Sequence, residues 1–132
     1  MAGIVFFARP PEKKALHAVL GDEALLLEIA DTDTLRTQGL SGHQPLASNE
    51  GMLFMFPTEG QYAFWMKDMN FPIDIVWLDS DYRIVDVKNY ATPDSYPKMF
   101  MPSESARFVL ELSAGFFENH HLKKGDRLEV DQ

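Results

Sequence analysis

The sequence predicts a mainly β protein, a single β-sandwich or jelly-roll-like domain with one or two short helices. Three observations predict it. Short apolar runs recur at roughly ten-residue spacing, the rhythm of strands joined by turns. Each run is bounded by Gly, Pro, Asn or Asp, residues that end strands and make turns. Only two segments, 31–40 and 114–121, carry helical signals, and both are short.

Residues 1–14 end in the Pro-rich, charged RPPEKK, so they read as a tail or an edge segment, and the domain is expected over 15–132. ALHAVL (15–20) and ALLLEIA (24–30) read as two strands about the Gly21-Asp22 turn. From Asp31 to Leu40, Thr32 or Asp33 is the natural N-cap, Leu35 and Leu40 give apolar contacts, and Gly39 sits where a helix ends. Strands follow at GMLFMF (51–56), YAFWM (62–66), IDIVWL (73–78) and RIVDV (83–87). Residues 89–103 hold three prolines and little periodicity, which reads as a long loop. RFVLELS (107–113) is a further strand, AGFFENHH (114–121) has room for one helical turn, and Lys124-Gly125-Asp126 turns into a closing strand at 128–130.

At 132 residues one core suffices, and 45% hydrophobic against 24% charged residues places the chain among folded globular proteins rather than disordered ones. The net charge of −8 and the lack of a basic stripe argue against nucleic acid and against an anionic membrane surface. Without cysteine there is no disulfide, thiolate nucleophile or thiolate metal site. The histidines lack zinc spacing and the glycines lack phosphate-loop spacing, so neither a metal nor a cofactor is expected. Paired methionines at 52/55, 66/69 and 99/101 invite a soft-metal site, but i, i+3 pairs in a strand face opposite ways, and core filling explains them better. The apolar core of 1–14 is shorter than the roughly seven to fifteen residues of a signal peptide, and no window approaches the roughly 20 apolar residues of a membrane span.

The stretch FWMKDMNFPIDIVWLD (64–79) threads Lys67, Asp68 and Asp74 through some of the most apolar sequence in the chain. An unpaired ion removed from water costs at least several kcal/mol, so these side chains are expected to meet one another, another ion or a ligand. In a strand, Asp74 shares a face with Val76 and Leu78 while Ile73, Ile75 and Trp77 share the other, so both faces are apolar. One reading groups Arg36, Lys67, Asp68, Asp74 and Glu111 around a pocket; the other is a structural ion network fastening helix to sheet. Glu111 alternates onto the side of Val109 and Ser113, a face that simple solvent would explain. If Lys67 is buried and paired, Lys67→Met should destabilise far more than Lys123→Met.

The blocks RTQGL (36–40), GMLFMF (51–56), FWMKDM (64–69) with PIDI (72–75), VLEL (109–112) with AG (114–115), and KGD (124–126) together resemble the conserved family known as domain of unknown function 192, over about residues 25–130. The resemblance implies one β-sandwich or jelly-roll-like domain with short helices and no assigned activity. Relatives are often exported or lipid-anchored, which leaves cytoplasmic and periplasmic locations both open. Two departures stand out. Ser41-Gly42-His43 replaces bulky residues ending in Arg, removing a fixed cation, and Asp68 replaces the usual Asn, adding an anion beside Lys67.

Three functions fit these features. First is a binding module for a small saccharide or peptide, with Arg36, Trp65, Lys67, Asp68 and Asp74 as ligand-binding residues and Tyr62 and Tyr96 as further aromatics. Second is a hydrolase-like enzyme using paired carboxylates, with Asp74, Glu111 and Lys67 as catalytic candidates. Third is an accessory protein docking a partner through loop 89–103, where Tyr96 and Phe100 look exposed. The sequence fixes neither the oligomeric state nor whether the protein is an enzyme.

Overall fold

The computed structural model describes residues 14–131, so the tail expected over 1–14 lies outside the described residues apart from Lys14. In chain order the elements are β1 (Ala15–Leu20), β2 (Glu23–Ala30), α1 (Asp33–Gln38), β3 (Glu50–Gly60), β4 (Ile73–Leu78), β5 (Ile84–Ala91), a 3₁₀ turn at Pro93–Ser95, β6 (Ala106–Ser113), α2 (Phe116–Asn119) and β7 (Glu129–Val130). The mainly β architecture with two short α-helices is the one the spacing of apolar runs predicts.

All seven strands join one mixed sheet in the order β5-β4-β6-β3-β2-β1-β7. β1 and β2 form the expected hairpin, with Gly21 at φ 60° supplying the left-handed turn position. β2 and β3 run parallel, whereas every other pair is antiparallel. A parallel pair needs a crossover, and the connection through α1 provides it. The Thr32 hydroxyl caps α1 by accepting from the Leu35 N–H at 3.2 Å.

The six residues of β4 are all buried, because the sheet carries an apolar core on each face. Val76 and Leu78 face the first core with Leu20, Leu27 and Leu110. Ile73, Ile75 and Trp77 face the second with Met52, Phe54 and Val109. The first core collects residues from both ends of the strand order, so the sheet curls around it and packs as a sandwich does, without closing into a barrel. An isolated bridge between Arg83 and Arg127 ties the two ends, with the Ile84 N–H donating to the Asp126 carbonyl at 2.8 Å and the Leu128 N–H to the Tyr82 carbonyl at 2.9 Å.

Residues 62–66, expected as a strand, form only a bridge between Phe64 and Phe100. The strands on either side of them in sequence already have two partners each: β4 lies between β5 and β6, and β3 between β6 and β2. The segment therefore crosses the second core, where Phe64 packs against the buried cluster. Loop 89–103 is shorter than expected, since β5 runs to Ala91. The methionines divide: Met52 and Met66 are buried, whereas Met99 and Met101 are exposed, contrary to a uniform core-filling role. Phe100, which looked exposed in sequence, is buried.

Candidate functional site

β6 alternates as a strand must, sending Leu110 and Leu112 to the first core and Val109 with Glu111 to the second. On the sheet, Glu111 lies opposite Met52 of β3 and Ile75 of β4, both buried. Solvent would explain this face by sequence alone. Instead, the crossover brings the end of α1 over it: Gly39 has φ 51°, and a Cβ there would lie 3.1 Å from the Phe54 ring and 3.8 Å from Glu111 Oε1. Only glycine allows that approach in that backbone conformation. Glu111 is left 5% exposed.

The Glu111 carboxyl makes no hydrogen bond or ion pair among the described residues. Burial, unopposed by any neighbouring cation, pushes its pKa from 4.5 up to about 8. At neutral pH the group is therefore mostly protonated, presenting one O–H donor and one carbonyl acceptor. It opens onto a cavity of about 370 Å³ walled by Phe54, Phe56, Phe64 and Trp65, with Arg36 and Gly39 from the α1 side. The aromatic walls are mutually braced. Phe56 stacks on Tyr62 with centroids 3.7 Å apart, and Phe54 meets Phe64 edge-on at 4.8 Å.

Arg36 is held in the wall. Its Nη1 donates to the Met55 carbonyl at 2.7 Å, its Nη2 to Asp33 Oδ1 at 2.8 Å, and its guanidinium lies 5.4 Å from the Phe56 ring centre. Trp65 is 44% exposed at the rim, against Tyr96 at 5.2 Å, and Lys67 Nζ lies 5.7 Å from the centre of its ring. Of the five expected ligand-binding residues, Arg36 and Trp65 line the cavity. Lys67 and Asp68 do not line it; both are exposed on the outer loop, which corrects the expectation that apolar neighbours in sequence would enclose them.

Asp68 has φ 57°, a left-handed conformation that Asn and Asp tolerate best, and its carbonyl accepts from the Gly42 N–H at 3.0 Å. Its place in the motif fits the shape of this turn. The other departure from the family pattern lies across the same turn. Ser41 Oγ donates to the Lys67 carbonyl at 2.8 Å and Asn70 Nδ2 to the His43 carbonyl at 3.3 Å. The imidazole of His43 comes within 3.5 Å of the Glu28 carboxylate.

Asp74 is fully buried, but on the other face of the sheet. Its Oδ1 accepts from the backbone N–H of Tyr90 at 2.9 Å and Gly115 at 3.1 Å, and its Oδ2 from Phe117 at 2.9 Å. Neither Lys67 nor Arg36 is a partner. The carboxylate instead anchors the start of α2 to the end of β5. Gly115 fits there because its φ is 92° and a Cβ would meet Tyr90 Oη at 2.5 Å. The sheet therefore separates Asp74 from Glu111, and the paired-carboxylate arrangement is not formed. Sequence reasoning missed the wall residues Phe54, Phe56 and Phe64; their signal was the aromatic density of FMF and YAF flanking one turn.

Among the described residues no group of three His, Asp or Glu is placed to hold a metal, and no helix is long and apolar enough to cross a membrane. A UPF0127 protein of Thermococcus gammatolerans is 34% identical over 80% of this chain and 66% of its own length. A second, from Thermococcus kodakarensis, is 28% identical over 76% of this chain and 61% of its own. The chain thus spans less than two thirds of these two relatives. A crystal structure from Sinorhizobium meliloti, of a protein provisionally described as a transcription regulator, superposes with a TM-score of 0.81 at 30% identity, covering 97% of this chain and 98% of that one. A protein of unknown function from Novosphingobium aromaticivorans shares the fold, with a TM-score of 0.79 at 24% identity over 87% of this chain and 83% of its own. The family model of domain of unknown function 192, described as an uncharacterised conserved region, matches residues 16–130. The chain belongs to that family.

Proposed function

We propose that this protein is a small-ligand receptor, and that its site is the cavity between α1, the 61–69 segment and β6. One observation carries the reading: a carboxyl that is 5% exposed and without a protein partner lies against an aromatic-walled space. A buried polar group left unsatisfied costs roughly 1–3 kcal/mol, more when charged, and a fold keeps such a group most readily where something else completes it. The space of about 370 Å³ falls in the range of roughly 300–1,000 Å³ typical of ligand sites. Its aromatic walls suit the apolar face of a saccharide or a side chain of a short peptide, and the Glu111 carboxyl supplies the orienting polar contact.

Binding is favoured over hydrolysis by paired carboxylates. Such chemistry needs two carboxyls facing one cleft within about ten Å, and Asp74 faces the opposite core with its oxygens engaged by backbone N–H groups. With a net charge of −8, the chain also offers little to nucleic acid, so the regulator description of one structural relative is not carried over to it.

The test is a titration of the full chain with small saccharides, short peptides and simple amines, followed by amide NMR. The reading expects shifts clustered on Gly39, Leu40, Phe64, Trp65 and Glu111. Shifts confined to the loop around Met99 and Met101, or none for any probe, would overturn it.

A further inference from the structure

We propose that the occupant of this cavity carries a protonated amine, which ion-pairs with Glu111 while its organic body lies against the aromatic walls. The inference rests on the receptor reading above and names the ligand's chemistry. An unpartnered carboxyl can be completed by a donor, and the strongest donor is a cation, which converts an uncompensated buried acid into a desolvated ion pair. The walls favour the same sign, since aromatic rings attract cations and Phe54, Phe64 and Trp65 line the space, while the Phe56 ring already carries Tyr62 and the Arg36 guanidinium.

The cations already nearby are otherwise engaged. Arg36 is committed to Asp33 and the Met55 carbonyl, and Lys67 lies out over the rim face of Trp65. An anionic ligand would meet a buried carboxyl instead of a counterion, and the net charge of −8 raises the local concentration of cations over that of anions.

Binding then moves a proton. The ammonium N–H donates to the carboxylate, and the proton that Glu111 held before binding leaves to solvent. No bond to carbon changes. The other titratable groups about the cavity are Arg36 and Asp33 from α1 and Tyr62 from the crossing segment, with Glu28 and His43 beyond Gly39 around a smaller hollow of about 70 Å³. The sheet neighbours of Glu111, Met52 and Ile75, do not titrate.

The experiment compares benzylamine, benzyl alcohol and benzoate on the full chain by calorimetry and amide NMR. At about pH 8 benzylamine is expected to bind at least about tenfold more tightly than the alcohol, its affinity falling towards pH 6 as Glu111 protonates. Repeating the titration near pH 7 in buffers of different ionisation enthalpy should show release of most of one proton per amine bound. Glu111→Gln should abolish both the preference for the amine over the alcohol and the proton release. Equal binding of amine and alcohol, or amine binding without proton release by the unmodified protein, would sink the ammonium inference and leave the receptor reading standing. No binding by any of the three at pocket residues would remove both.

Discussion

Asp74 and Glu111 occupy neighbouring rungs of the same ladder, Asp74 opposite Leu112 and Ile75 opposite Glu111, yet they point through opposite faces of the sheet into different surroundings. One meets three backbone N–H groups and fastens α2 and β5 to β4. The other meets none. Both are buried acids in apolar strands, so burial alone does not mark a site. The difference is satisfaction: the protein itself completes Asp74 and leaves Glu111 beside an open space.

That contrast breaks first at Asp74. Asp74→Ala leaves three N–H groups without their acceptor, and the expected loss is about 3–5 kcal/mol of unfolding free energy by urea titration. A loss below about 1 kcal/mol would mean that water replaces the carboxylate freely and that the anchoring role assigned to it is wrong.

Glu111 should respond in the opposite sense, and to pH. Its folded-state pKa of about 8 lies above the unfolded 4.5, so between those values the native state binds the proton that the unfolded state has lost. Stability must therefore fall as pH rises through that window and level off above it. At about 1.4 kcal/mol per unit, the loss between pH 5 and pH 8 is on the order of 3 kcal/mol. Glu111→Gln should remove this slope and match or exceed the unmodified protein at pH 8. Parallel stability curves for the two proteins would show that the carboxyl is wetter than its surroundings suggest.

The sequence carried most of the fold because strands announce themselves locally. Alternation and turn residues placed β1, β2, β4 and β6 within a residue or two, and the apolar residues on both sides of β4, broken only by Asp74, foretold a strand covered on both faces. What was not legible is what covers a face. Val109, Glu111 and Ser113 alternate as an exposed edge would, and nothing local tells that α1 and residues 61–69 fold over Glu111. The reverse error befell Lys67 and Asp68. Their apolar neighbours Phe64, Met66 and Phe71 do turn inward, but a loop need not carry every residue with it, and the left-handed turn at Asp68 throws both charges outward. Nor does sequence show which carboxylate the backbone will satisfy, since the donors of Asp74 come from residues 16 to 43 positions away.

The smallest effect sharpens the comparison from outside the core. Burial of Lys67 would have made Lys67→Met much more damaging than Lys123→Met; with both side chains exposed, the two should differ little. Lys67 gives up a rim cation–π contact with Trp65, worth roughly 0.5–1 kcal/mol, and Lys123 gives up an exposed ion pair with Asp126 worth roughly 0–1 kcal/mol. Melting temperatures for the two variants within a few degrees of each other are the expected result. A much larger drop for Lys67→Met would show that this ammonium reaches an acid inside, and Glu111, the buried acid without a partner among the described residues, would be that acid.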